Sequence, residues 1–360
     1  MRKRSSRICG VQTLGTTLAG LAAGLAAGLS PCLAQTPGGY QIYVTNEKSG
    51  DVTVIGGAGN KVLATIPLGK RPRGIHASPD GRTIYVALTG TPIAGPPSDR
   101  KAATDAEGPK ADKSADAIGV IDVATRRLTR KISAGSDPEE FSLSADGTKL
   151  YVSNEDVKTA SVIDIASGKV EHVVAVGEEP EGVATTPDGK RFYVTCEAGG
   201  EINVVDTARY GVIGHFNVNE RPRSVAFLPG SPVAFIPSEL TGELNVIDTT
   251  NLKVSKVVAL PQGSRPMSVK VSLDGKRIYV SNGRAGTVSV LDSRTYDLVS
   301  TIQVGSRPWG LALSPDGALL YAANGPSNDV SVVDLKTNKE IARIGAGMGP
   351  WSVAVVPATD

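Results

Sequence analysis

The chain has 360 residues, 40% apolar and 21% charged, with a formal net charge of +2. That much apolar surface buries a substantial core, which excludes an intrinsically disordered chain. The near-neutral balance, the 4% aromatic content and the lack of a basic cluster interleaved with aromatics count against nucleic acid as the default partner.

Residues 1–34 read as a secretory leader: Arg2, Lys3, Arg4 and Arg7 precede an uncharged Gly/Ala-rich run over 11–30, and "SPCLAQ" offers cleavage after Ala34. A retained membrane anchor is a competing reading, because the run is near the shortest length that spans a bilayer. Lipid attachment at Cys32 is a third, although Pro31 before the cysteine departs from a lipobox. A cleaved leader predicts a periplasmic or secreted protein. Once Cys9 and Cys32 leave with it, Cys196 is the one remaining cysteine. No disulfide framework is possible, and Cys196, with no neighbouring His in sequence, is expected to be a buried small hydrophobe.

After a short linker at 35–39, "YQIYVTN" (40–46), "DVTVI" (51–55) and "KVLATIPLG" (61–69) are predicted strands. From there one proline recurs as Pro72, Pro138, Pro180, Pro222, Pro266, Pro308 and Pro350, at intervals of about 42 residues with one exception. The exception is "LTGTPIAGPPSDRKAATDAEGPKADKSADA" (88–117), an insertion in the first complete unit whose Pro, Gly, Ala and mixed charge build no core. It is expected to be a flexible loop, either a lid or a spacer. A representative unit runs "RPMSVKVS" (265–272), "KRIYVSN" (276–282), "GTVSVLD" (286–292) and "DLVSTIQVG" (297–305), four short strands separated by Gly/Asp/Asn turns. In the fourth unit "LPGSPVAFIPSE" (228–239) replaces the usual turn and second strand, and its three prolines predict a poorly paired edge. The chain closes with "GPWSVAVVP" (349–357), a first strand with nothing after it.

Four strands per 42 residues predict an all-β, seven-bladed propeller of four-stranded antiparallel blades, a single domain over 40–357. Six blades are complete. The seventh pairs the C-terminal inner strand with the three N-terminal ones, which removes exposed ladder edges.

"YVTN" at 43–46 returns as "YVSN" at 151–154 and 279–282, "YVTC" at 193–196 and "YAAN" at 321–324. These units resemble the YVTN-type propeller repeat over essentially all of 40–357. The resemblance implies an exported protein. Some members of that group accompany pyrroloquinoline-quinone-dependent alcohol oxidation, and related seven-bladed propellers include lactonases.

Residues present in every blade are read as structural. Asp122, Asp164, Asp206, Asp248, Asp292 and Asp334 each end a third strand, where a carboxylate accepts backbone N–H bonds in the next turn. "SPDG" (78–81, 314–317) and its variants are hairpin turns. Within "GLALS" (310–314), large and small residues alternate so that one blade's bulk fits the next blade's small positions.

Departures from the repeat are read as functional, and they gather on one face. Flanking the recurrent proline, Arg71, Arg73, Arg221, Arg223, Arg265 and Arg307 are basic, whereas Asp137, Glu139, Glu140, Glu179 and Glu181 are acidic. They form either an anion-focusing mouth or a rim of mutual salt bridges. Trp309 and Trp351, with Met267 before them, either stack a ligand at that mouth or pack between blades. His76, His172 and His215 lack close metal-ligand spacing, although His76 occupies a normally small position beside the channel. No serine elbow, zinc motif or paired cysteine appears, so no catalytic residue, metal or cofactor is predicted.

The expectation from the residues is therefore a monomeric, non-catalytic exported propeller. It binds a periplasmic protein partner or small anionic ligand at Arg71, Arg73, Glu139, Glu181, Arg221, Arg223, Arg265, Arg307, Trp309 and Trp351. The family resemblance adds a quinoprotein alcohol-oxidation system as the setting. A lactonase-like hydrolase is the alternative, with acidic mouth residues doing acid/base work or binding a divalent ion. A nucleic-acid-binding propeller is the second alternative, and the acidic patches count against it.

Overall fold

The computed structural model describes residues 39–93 and 110–357. The predicted leader, most of the linker and the middle of the 88–117 insertion lie outside the described residues.

Alternating apolar residues and short polar turns fold these segments into seven four-stranded antiparallel sheets. Blades 1 to 6 begin near Pro72, Pro138, Pro180, Pro222, Pro266 and Pro308. Blade 7 joins the final strand, Pro350–Pro357, to Tyr40–Asn46, Asp51–Gly56 and Lys61–Pro67. Tyr43 stands opposite Ala354 and Val44 opposite Val353, so the ring closes through a ladder of backbone hydrogen bonds. Second and third strands are buried on both faces and form apolar clusters between neighbouring blades. One holds Ile42, Val44, Tyr321, Val330 and Val353.

The repeated polar residues tie each blade internally. The side-chain amides of Asn46, Asn154, Asn282 and Asn324 donate to residues five and seven positions on, as from Asn46 to Asp51 Oδ1 (2.7 Å) and Thr53 Oγ1 (2.9 Å). In blade 3, Cys196 replaces this asparagine and is fully buried, with Asn203 Nδ2 3.6 Å from its sulfur. Burial pushes its thiol up to about 12. The strand-end aspartates accept turn N–H groups as expected, for example Thr125 N on Asp122 and Ser167 N on Asp164, both at 2.8 Å.

Blade 4 differs from the prediction. Val233–Ser238 is a full second strand with six partners in Glu243–Asp248. The weak element is the inner strand, which shrinks to Ala226–Phe227 plus a bridge from Pro222 to Ser238. Pro237 fits because its carbonyl still accepts the Arg223 N–H at 3.2 Å and its missing donor is not required there.

The other six inner strands carry a register shift just after the proline, as between Pro72 and Ile75 or Pro308 and Leu311. A bulge re-aims the residue that follows it. Before each proline the backbone is left-handed: φ is 36° at Arg71, 56° at Asp137, 51° at Glu179, 57° at Arg221, 51° at Arg265, 50° at Arg307 and 69° at Gly349. Non-glycine residues rarely adopt this region. Here each carbonyl so turned accepts the N–H just past the second strand, as from Glu47 to Gly349 O at 2.8 Å and from Glu197 to Glu179 O at 2.9 Å. The proline entrance and the loop between strands two and three therefore share one face.

Candidate functional site

The seven residues after the prolines form a ring, presented by the bulge in six blades and by the irregular entry to the short inner strand in blade 4: Arg73, Glu139, Glu181, Arg223, Met267, Trp309 and Trp351. The hydroxyl in the second strand fixes this ring from the preceding blade. Thr45 Oγ1 donates to Arg73 O, Ser153 Oγ to Glu181 O and Ser281 Oγ to Trp309 O, at 2.6–2.7 Å.

Within the ring Arg73 ion-pairs with Glu139, and with Glu181 at 3.1 Å. Arg223 meets Glu181 at 3.2 Å. Trp309 and Trp351 stack with centroids 5.7 Å apart, Arg73 lies over Trp351 at 4.7 Å and Arg223 over Trp309 at 5.4 Å. Both indoles are thus engaged by each other and by guanidinium groups. The ring forms a polar and aromatic plug. Above it lies a mouth of about 640 Å³, and below it a channel cavity of about 560 Å³.

A second tier, which sequence reasoning missed, stands above the plug: Glu47, Glu155, Glu197 and Glu239, each directly after a second strand. The signal was present as glutamate in "YVTNE", "YVSNE", "YVTCE" and "IPSE". Arg71 pairs with Glu47 at 2.8 Å and donates to Thr91 O at 2.6 Å, which ties the start of the insertion to the mouth. Arg221 pairs with Glu197 and Glu239, as does Arg223. Of the predicted site residues, Arg71, Arg73, Glu181, Arg221, Arg223, Arg307, Trp309 and Trp351 line the mouth. Glu139 is buried beneath it, and Arg265 lines neither cavity.

Charge is not evenly neutralised. Asp137, Glu139 and Glu155 each offer a carboxylate oxygen, all within 4.8 Å of one another. Among the described residues Arg73 is the one guanidinium ion-paired to this group, on Glu139, whose oxygens have no aligned hydrogen bond. Burial is the main cause that holds Glu139 and Glu155 above the ordinary carboxylate range. Arg73 opposes the shift at both, and the neighbouring carboxylates Glu181 and Asp137 reinforce it. Glu181 goes the other way despite burial, pulled down by Arg223, Arg73 and Arg221. Across the mouth, Arg307 contacts Trp309 at 5.0 Å and has no carboxylate at ion-pair distance among the described residues.

Residues 211–349 match the family model described as lactonase, seven-bladed β-propeller. That finding overturns the expected non-catalytic binding propeller and favours the hydrolase reading. Similar solved structures agree on the fold. A candidate 6-phosphogluconolactonase from Bacteroides fragilis is 18% identical, covers 88% of this chain and 98% of its own, and has a TM-score of 0.70. Its counterpart from Bacteroides uniformis is 18% identical, with 88% and 99% covered and a TM-score of 0.70. Hydrazine synthase from Kuenenia stuttgartiensis is 22% identical, with 80% and 90% covered and a TM-score of 0.67. No curated protein matches the chain. The physical reason the binding-face expectation fails is visible in the mouth: most of the predicted arginines are consumed by internal carboxylates.

Proposed function

We propose that the protein is a lactonase-like hydrolase that opens lactone rings in the mouth. The observation that carries this reading is the Asp137/Glu139/Glu155 group, in which burial holds Glu139 and Glu155 above their ordinary range, facing across the mouth an Arg307 with no carboxylate at ion-pair distance among the described residues.

Glu155 reaches the cavity, whereas Glu139 is fully buried. Glu155 is therefore the general base: its carboxylate takes a proton from water as the oxygen bonds to the lactone carbonyl carbon. The oxyanion that forms, and then the product carboxylate, face the guanidinium of Arg307. As the ring C–O bond breaks, Glu155 returns its proton to the departing alkoxide, giving a hydroxy acid. Glu139 tunes Glu155 without touching substrate, because two close carboxyls cannot both ionise freely.

The three carboxylates also suit a hard divalent cation, which prefers oxygen donors and, when bound, polarises a carbonyl. The basic, apolar leader and the YVTN-type units support an exported enzyme acting in the periplasm or outside the cell.

The test is a pH-stat assay of the purified protein on five- and six-membered lactones, before and after chelation and with Ca²⁺ or Mg²⁺ restored. Wild type hydrolyses lactone, and Glu155→Gln lowers kcat about 100-fold or more. A wild-type rate equal to buffer, or full activity in Glu155→Gln, overturns the proposal.

A further inference from the structure

Below the plug, the inner strands line the channel mainly with the second and fourth residues after the prolines, although in blade 4 Val225 lines it and Ala226 packs against the core. In sequence the second positions hold Gly74, Gly182, Gly310 and three serines, and the fourth hold four alanines and Ser142. The space demands this economy: a Cβ on Gly310 would stand 2.7 Å from Ser352 Cα in the next blade. Three residues break the rule, Glu140 at the second position and His76 and Lys270 at the fourth. All three line the same cavity of about 560 Å³.

Their placement is not scattered. His76 of blade 1 and Glu140 of blade 2 meet at 2.9 Å from Nε2 to Oε1, and the same Glu140 oxygen accepts the Phe141 N–H at 2.9 Å. In a closed ring of seven, blade 5 lies three blades from each, so Lys270 faces them across the channel. Glu140 is thus already engaged, and no carboxylate lies at ion-pair distance from the Lys270 ammonium among the described residues. Burial pulls this lysine below its ordinary range, with Glu140 the one charge opposing the shift. Arg223, the neighbouring cation on this cavity, is taken by Glu181, Glu197 and Glu239.

We propose that the central channel is a second binding site, distinct from the mouth, for a small organic carboxylate whose head pairs with Lys270. Lys270 is half-buried on the channel wall with no carboxylate at ion-pair distance among the described residues, and a carboxylate supplies the missing partner while apolar surface nearby takes an aliphatic tail. Half-buried Leu313 and Val355 supply that surface. One unpaired cation matches a monoanion better than a phosphate dianion, and the cavity volume suits a small ligand. The site stands independently of the mouth chemistry.

The experiment is calorimetric titration of the full chain with hexanoate, with chloride and inorganic phosphate as competing anions. Variants are Lys270→Ala, the residue four other blades carry, Lys270→Met as a bulkier neutral replacement, and Arg307→Ala in the mouth. Hexanoate binds wild type and Arg307→Ala alike, and both Lys270 variants weaken it about tenfold or more. Without ligand, Lys270→Met melts at or above the wild-type temperature, since no ammonium has to be buried. Absence of saturable binding, wild-type affinity in either Lys270 variant, loss in Arg307→Ala, or phosphate binding as tightly as hexanoate each overturns the proposal.

Discussion

Arg73 and Glu181, 108 residues apart in the chain, meet at 3.1 Å in the plug that separates mouth from channel. Arg73 also holds Glu139, so one guanidinium balances two buried carboxylates from different blades. Removing the cation leaves Glu139 without an ion-pair partner among the described residues and Glu181 with Arg223 alone. Arg73→Met is expected to lower stability by about 3–5 kcal/mol. Glu139→Gln replaces a carboxyl that burial already drives towards its neutral form, and is expected to change stability by less than about 1 kcal/mol. Urea titration of the two variants checks the contrast, and equal losses would refute it.

The carboxylate tiers make stability depend on pH in two opposite ways. Burial raises Glu197 to about 8, with Arg223 opposing the shift, and Glu139 and Glu155 are raised in the same sense. A folded-state value above the unfolded one gives stability that is complete below the unfolded carboxylate range and is lost as pH rises through the folded value. Glu181 and Glu239 are lowered, so their contribution is present at neutral pH and disappears only in acid. Wild type is therefore expected to have a lower urea midpoint at about pH 8.5 than at about pH 6, and Glu197→Gln to narrow that gap. A midpoint rising with pH over this interval would contradict the assignment.

Ring closure rests on the last strand. Val356 is fully buried against the cluster shared by blades 7 and 1. Val356→Ala is expected to cost about 2 kcal/mol, two methylene equivalents plus the void left behind. Deleting residues 349–360 exposes the ladder of Tyr40–Asn46 and is expected to yield an aggregating or non-cooperatively melting chain. Thermal denaturation followed by circular dichroism distinguishes this from an intact monomer.

Cys196 is enclosed and its thiol is pushed up to about 12. Iodoacetamide is expected to spare the Cys196 peptide in the native protein and to label it in denaturant, read by peptide mass mapping. Native labelling at a free-thiol rate would show that blade 3 opens locally.

Most of the blade architecture was legible because its determinants are local. The proline interval, the alternation within "YVSN" and "GTVSVLD", and the strand-end aspartates each act inside one unit of about 42 residues. Blade 4 was misread because proline was weighed as a strand breaker, whereas the pairing of Val233–Ser238 leaves a place for Pro237 that requires no donor.

Composition and periodicity alone settle the repeat, its count and the docking of the tail on the first three strands, because alternation and turn chemistry are written in neighbouring residues. Which charges neutralise one another was decided only in three dimensions. Arg73 reaches Glu181, and Lys270 faces His76 and Glu140, because seven-fold closure turns the same strand position of every blade towards one axis. No local pattern encodes a contact that exists only after the ring has shut.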